Sequence, residues 1–210
     1  MASLTWLGHS SFRLDLGSIV YFDPYKVNGK ADADLILVSH GHHDHCDKAS
    51  ISSLLKDGSA IICPKSCQDN VGHDATTMQE GEVLDVWGLK VEACAAYNLR
   101  KPNHPRGMGL GYVVESDDLR YYFAGDTDFI PEMGDIGKIH IAMLPVGGTY
   151  TMDWKEAGQV VRVIQPDIAI PMHYGEVVGS QQDAERFKRK VETEAKIKVI
   201  IPKVGEEIEV

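Results

Sequence analysis

The sequence predicts an α/β protein of two β-sheets lying face to face with helices on the outside. Two observations lead there. Short runs rich in Ile, Val, Leu and aromatics follow one another in each half of the chain, and helical periodicity interrupts and follows them rather than alternating with every strand. No linker-like shift in composition, low-complexity tract or short-period repeat divides the halves, so residues 1–210 read as a single domain.

In the first half, Leu4–Leu7, Phe12–Leu16, Ile19–Phe22, Leu35–Val38, Ala60–Cys63 and Lys90–Tyr97 read as strands, punctuated by Gly8, Gly17, Pro24 and Gly58. Arg13, Asp15 and Gly17 alternate with Phe12, Leu14 and Leu16, the period of a sheet with one wet face, so the opening should be an antiparallel meander. Asp47–Lys56 and Pro64–Val71 read as short helices, with Pro64 suited to a start and Gly72 to a stop.

The second half places strands at Leu110–Glu115, Arg120–Ala124, Ile139–Leu144, Ile168–Ile170 and Val199–Ile201. Two stronger helices accompany them. Over Asp153–Ile164, the residues Ala157, Val160, Val161 and Ile164 make one apolar stripe that Gln165-Pro166 ends. Over Gln181–Ala195, Ser180 and Asp183 suit a capping box, Ala184, Phe187 and Val191 face inward, and Lys188, Arg189 and Lys190 form a solvated face.

Composition narrows the function. Apolar residues are 43% and charged residues 25%, globular proportions, and runs such as Leu35–Val38 are far too short to cross a bilayer. Twenty-one Lys and Arg against thirty-one Asp and Glu give a net charge of −10, which argues against nucleic acid or anionic lipid as a partner. A basic n-region and a long apolar h-region are both missing from the opening residues, so a cytoplasmic location is expected. The four cysteines, Cys46, Cys63, Cys67 and Cys94, form no CxxC pair and read as reduced thiols.

The apolar strand Leu35–Val38 runs straight into Ser39-His40-Gly41-His42-His43-Asp44-His45. Imidazole and carboxylate are the ligands of zinc, manganese and iron sites, and a loop reading HxHxDH can turn alternate side chains toward one metal or two. Further ligands should arrive at other strand ends. Arg120–Ala124 leads to Gly125-Asp126-Thr127-Asp128, and Ile168-Ala169-Ile170-Pro171 leads to Met172-His173-Tyr174. Each is weak alone, since a strand-end Asp commonly makes a turn and a lone His is commonly structural.

HxHxDH, GDT and PMH in this order resemble the metallo-β-lactamase superfamily, over nearly the whole chain. Trp6-Leu7-Gly8-His9-Ser10-Ser11-Phe12, Asp23-Pro24, Leu144-Pro145-Val146-Gly147-Gly148 and Pro171-Met172-His173-Tyr174 resemble its ascorbate-6-phosphate lactonase and N-acylphosphatidylethanolamine phospholipase D branch. The resemblance implies a four-layer αββα sandwich of two mixed sheets, with His40 and His42 on a first metal, Asp44, His45 and His173 on a second, and Asp126 bridging. His43 would point away. It also implies one more first-site histidine from mid-chain, where this sequence has Ala95-Ala96-Tyr97-Asn98. Asn98 could serve as an oxygen ligand, or His104 could fold back from a Gly-rich loop, and imidazole is the better ligand.

His9 and Asp23 are candidates to support the site, Asp23 by accepting the free N–H of a ligating imidazole. Cys46 reads as a buried filler, and His73 and His140 carry no motif. The function expected is hydrolysis by a dinuclear enzyme, with two divalent ions, zinc, manganese or iron, lowering the pKa of a bound water toward about 7. Asp44 and Asp126 could also take its proton. The substrate would be a small ester, lactone or phosphodiester, and Arg100-Lys101 and Arg106 could hold an anionic group. The rivals are a nuclease and a non-catalytic metal-binding regulatory domain.

Overall fold

The computed structural model describes residues 2–72 and 74–210, and Met1 and His73 lie outside them. The described residues form an α/β protein with two mixed seven-stranded sheets and four helices. Two compact units divide the chain, one running up to Gln79 and including Pro202–Val210, the other Glu80–Ile201, and each contains one sheet.

In the first unit β1 (Ser3–Gly8), β2 (Ser11–Asp15) and β3 (Ile19–Phe22) form the expected antiparallel meander. Parallel strands β4 (Ala33–Leu37), β5 (Leu55–Pro64) and β6 (Thr76–Met78) extend it. Helix α1 (Lys48–Leu54) joins β4 to β5, with Asp47 as its N-cap accepting from Ala49 N. It stops short of the expected Lys56 because Leu55 and Lys56 already belong to β5. Pro64 precedes a 3-10 turn over Lys65–Cys67, α2 (Gln68–Val71) follows, and Gly72 ends it at φ +120°.

In the second unit β7 (Val83–Val86), β8 (Leu89–Ala96), β9 (Gly109–Ser116) and β10 (Leu119–Phe123) run antiparallel. Strands β11 (Ile141–Pro145), β12 (Ile168–Met172) and β13 (Lys198–Val199) then add in parallel. Helix α3 (Trp154–Ile164) follows β11 and α4 (Gln181–Glu194) follows β12. Asp153 accepts from Glu156 N at 2.9 Å while Glu156 accepts from Asp153 N at 3.0 Å, a capping box that contributes about 1 kcal/mol. Ala157, Val160, Val161 and Ile164 are buried on α3, and Ala184, Phe187 and Val191 on α4, as their spacing requires. The last strand, β14 (Glu207–Glu209), pairs antiparallel with β1 in the first unit.

Both sheets therefore change from antiparallel to parallel part-way across. Parallel neighbours point their carboxyl ends the same way, so groups that follow them gather at one edge of the sheet. The candidate ligands sit there: Asp23 follows β3, His40–His45 follow β4, Asp126 follows β10 and His173 follows β12. Beneath these edges Phe12, Leu14, Phe22 and Leu35 fill the first unit, and Tyr112, Tyr122, Phe123 and Phe187 the second, all fully buried.

Candidate metal centre

At the edge of the first sheet, fully buried Asp23 is held at φ +40°, a left-handed conformation that a non-glycine residue adopts at a cost of about 1 kcal/mol or more. Its carboxylate collects three donors from the segment after β4: Ser39 N and His45 Nδ1, each at 2.6 Å, and the Ser39 hydroxyl. Burial pushes the Asp23 carboxyl up, against the pull of the His45 ring and the Ser39 hydrogen bonds. Polarity then settles two tautomers. A carboxylate can only accept, so His45 donates from Nδ1 and keeps its lone pair at Nε2. The Ser39 hydroxyl donates its one hydrogen bond to Asp23, so it accepts from His40 Nδ1 at 3.0 Å, and His40 also keeps its lone pair at Nε2.

That His40 Nε2 lies 2.9 Å from His42 Nδ1. The loop curls because His45 N and Cys46 N both donate to His42 O, at 3.1 and 2.8 Å. Asp44 is turned to His9, whose Nε2 is 3.0 Å from Asp44 Oδ2, and His45 Nε2 is 3.7 Å from the same oxygen. Ligand atoms of His9, Asp44 and His45 lie within 4.8 Å of one another, as do those of Asp23, His40 and His45. The His43 side chain is 78% exposed. Burial pushes the Cys46 thiol up to about 11, and it packs in a core cluster with Ile51 and Cys63, a filler as its neighbours suggested.

The second unit contributes Asp126, His173 and His104, all buried. Asp126 Oδ2 is 3.0 Å from His173 Nε2 and 3.3 Å from His104 Nε2, so a single carboxylate oxygen serves two imidazoles. His173 stands at φ +59° and Gly125 at φ +63°, tight reversals that carry each strand end into the site. Gly147 is required here for another reason: a Cβ on it would lie 2.3 Å from the His173 carbonyl oxygen.

His104 comes from the loop between β8 and β9, and Asn98 supports it. Asn98 Oδ1 accepts from His104 N at 3.1 Å and His104 Nδ1 at 3.0 Å, while Asn98 Nδ2 donates to Asp128 Oδ1 at 3.1 Å and Tyr150 O at 2.9 Å. Of the two mid-chain candidates, it is His104 that stands beside Asp126. Lys101 Nζ donates to Asp128 and to Thr151 O, and Arg106 pairs with Glu80 at 2.8 Å and Glu132 at 2.9 Å. Two of the three cations expected to greet an anion, Lys101 and Arg106, are thus taken by carboxylates, while Arg100 is exposed. His140 Nδ1 accepts from Arg120 N of β10, a structural role, and His73 lies outside the described residues.

Sequence reasoning left His9 undecided between core and site and gave Asp128 no role. The only signal for His9 is its place in Trp6–Phe12, and none marks Asp128, whose partners at 98, 99 and 101 lie far off in sequence.

Each unit by itself offers donors that suit a divalent transition metal: the first His40, His42 and His45 imidazoles with the Asp44 carboxylate, the second His104 and His173 imidazoles with the Asp126 carboxylate, all at least partly buried. The family described as the beta-lactamase superfamily domain matches residues 3–173. A UPF0173 metal-dependent hydrolase of Methanopyrus kandleri is 32% identical, over 98% of this chain and 99% of its own. The chain belongs to the UPF0173 metal-dependent hydrolases of the metallo-β-lactamase superfamily. A second relative, from Thermoplasma acidophilum, is 33% identical over 99% of this chain and 98% of its own. Among solved structures, a protein of Parabacteroides distasonis is 32% identical, with a TM-score of 0.85 over 95% of this chain and 92% of that one. Igni18, a metallo hydrolase from Ignicoccus hospitalis, gives a TM-score of 0.85 at 26% identity, over 99% of this chain and 97% of its own. The UPF0173 chain described here therefore has the metallo-β-lactamase fold. No helix among its described residues is long and apolar enough to cross a membrane.

Proposed function

We propose that this UPF0173 protein is a dinuclear hydrolase, with zinc as the native metal and manganese or iron as substitutes, that cleaves an ester, lactone or phosphodiester of a small substrate. The reading assigns His40, His42 and His104 to the first ion, Asp44, His45 and His173 to the second, and Asp126 to both, with residues 1–210 acting as one catalytic domain. It is carried by the shared oxygen of Asp126, 3.3 Å from His104 Nε2 and 3.0 Å from His173 Nε2, because a carboxylate that would be shared by two ions has to lie beside an imidazole of each.

Two divalent ions in such a set supply an acidified water and a Lewis acid for the leaving oxygen. The chain's own groups do the rest. Asp23 holds His40 and His45 in the ligating tautomer, His9 steadies Asp44, and Asp44 and Asp126 are the carboxylates of the set that can take a proton. Because two of the three cations, Lys101 and Arg106, are already paired, an uncharged ester or lactone suits the site better than a polyanion. The net charge of −10 weighs against nucleic acid in the same way.

Two finer assignments belong to the same proposal. Trp6–Phe12, Leu144–Gly148 and Pro171–Tyr174 support the ascorbate-6-phosphate lactonase and N-acylphosphatidylethanolamine phospholipase D branch, and four buried free thiols support a cytoplasmic location. The test is a panel of lactones, p-nitrophenyl esters, and phosphate mono- and diesters on metal-analysed protein. We expect close to two ions per chain, ester or lactone turnover that a chelator abolishes, and recovery with zinc or manganese. Undiminished turnover by the apo protein would overturn the reading, faster cleavage of RNA than of small substrates would favour a nuclease, and bound metal with no turnover across the panel would favour a regulatory domain.

A further inference from the structure

We infer that Asn98, anchored by Asp128, is the positioning residue that fixes both the tautomer and the place of the His104 imidazole. The inference rests on His104 as a ligand of the first ion.

The argument is one of forced polarity. Asp128 is 5% exposed and its carboxylate faces three donors: Asn98 Nδ2 at 3.1 Å, Leu99 N at 3.0 Å and Lys101 Nζ at 2.5 Å. Its backbone N–H donates to Tyr97 O at 3.0 Å, so residues 97–101 are tied to it from both the main chain and the side chain. Asn98 Nδ2 meets Asp128 and the Tyr150 carbonyl, and both oxygens can only accept, so the amide cannot be turned the other way. Asn98 Oδ1 is thereby aimed at His104. Since that oxygen can only accept, the His104 Nδ1 atom 3.0 Å away must carry the proton. Asp126 Oδ2, 3.3 Å from Nε2, can also only accept, so without metal that atom can hold a proton as well; in the neutral ring that a metal ligand must be, the proton fixed at Nδ1 leaves the lone pair at Nε2.

The same residue sets the position. Asn98 N donates to His104 O at 2.7 Å while His104 N donates back to Asn98 Oδ1 at 3.1 Å, which closes residues 98–104 into a tied loop. Asn98 and His104 are 8% and 2% exposed, so water cannot readily replace these bonds. No other side chain of this size donates twice on one side and accepts twice on the other. Alanine offers neither function, and a carboxylate at 98 could accept from His104 but would face Asp128 as a like charge.

Nitrogen NMR of the imidazoles in metal-free protein, at mildly alkaline pH, tests the inference without activity or metal. The wild type should show His104 protonated at Nδ1, Asn98→Ala a loss of that proton toward the Nε2–H tautomer that Asp126 favours, and Asn98→Asp its return, because its carboxylate still accepts. In metal-loaded protein, chelator competition should show first-ion affinity lower by about 10- to 100-fold in Asn98→Ala, with the second ion retained. An Nε2–H tautomer in the wild type, or unchanged tautomer and affinity in Asn98→Ala, overturns the inference. Should Asn98→Ala fail to fold, the wild-type tautomer and Asn98→Asp still decide it. Wild-type protein that binds no metal would instead sink the proposed function, leaving the tautomer to decide the positioning role.

Discussion

The two ligand-bearing edges hold their imidazoles by different means. In the first unit one carboxylate, Asp23, reaches His45 directly and His40 through a single hydroxyl, and all the partners leave the adjacent parallel strands β3 and β4. In the second unit His104 rides on a loop, and its support runs from Asp128 through Asn98, with Lys101 at the outer end 27% exposed. A strand end inherits its position from the sheet's hydrogen bonds, whereas a loop has to be tied down by side chains. Damage to the first edge should therefore disturb two imidazoles together, and damage to the second should loosen one.

The largest effect tests what both readings share. Asp126→Ala removes the one oxygen set against both His104 and His173, and it should lower hydrolysis by several orders of magnitude and reduce metal content, with the thermal melting profile nearly preserved. Retention of two ions at wild-type affinity would show that Asp126 bridges nothing.

Asp23→Asn comes next and bears directly on the comparison. Asparagine tolerates the left-handed φ of +40°, so the backbone is not the variable. What changes is polarity: the amide must turn its NH₂ either toward Ser39 N, at the Oδ1 position, or toward the Ser39 hydroxyl and His45 Nδ1, which share Oδ2, and in the second case His45 and the Ser39–His40 pair lose their acceptor together. Affinity for both ions should fall by about 10- to 100-fold, read by chelator competition. Loss confined to one ion would mean that Asp23 orients a single ring. Asp128→Asn should do less. It keeps an oxygen for Asn98 but withdraws the charge that holds Lys101, and a partly exposed pair of this kind is worth about 1 kcal/mol or less, so only the first ion should weaken, by a few-fold. Equal losses from the two substitutions would erase the distinction between the edges.

The same difference explains what could be read in advance. HxHxDH is contiguous and follows the apolar strand Leu35–Val38, so its chemistry stands out in the sequence. Asp126 and His173 are single residues that gain meaning only beside that motif. His104 required a loop to fold back, and the acceptors that orient Asn98 lie 30 and 52 residues away, a pairing that no spacing rule reveals. In the fold, α3 and α4 were legible from an apolar stripe and their caps, because both signals are local. Strands Thr76–Met78, Val83–Val86 and Glu207–Glu209 were not. They are short, partly exposed edge strands, or nearly so, whose pairing comes from a neighbour already in place rather than from their own alternation.

The smallest expected effect sits inside the most legible motif. His43 is flanked by His42 and Asp44, so composition alone would count it with the ligands. Its side chain is 78% exposed, and its Nδ1 is 3.6 Å from Asp44 Oδ1, too far for a hydrogen bond of any strength. Its ring meets Tyr25 edge-on with centroids 6.0 Å apart, a peripheral contact. His43→Ala should therefore leave metal content and turnover at wild-type levels and shift stability by less than about 0.5 kcal/mol. The physical reason is the turn itself. With His45 N and Cys46 N both donating to His42 O, residues 42–46 close tightly, and the position next to the turn's acceptor is left facing outward. Metal loss in His43→Ala on the scale of Asp126→Ala would mean that this turn opens when metal binds, and that the rigid edge of the comparison is the one that moves.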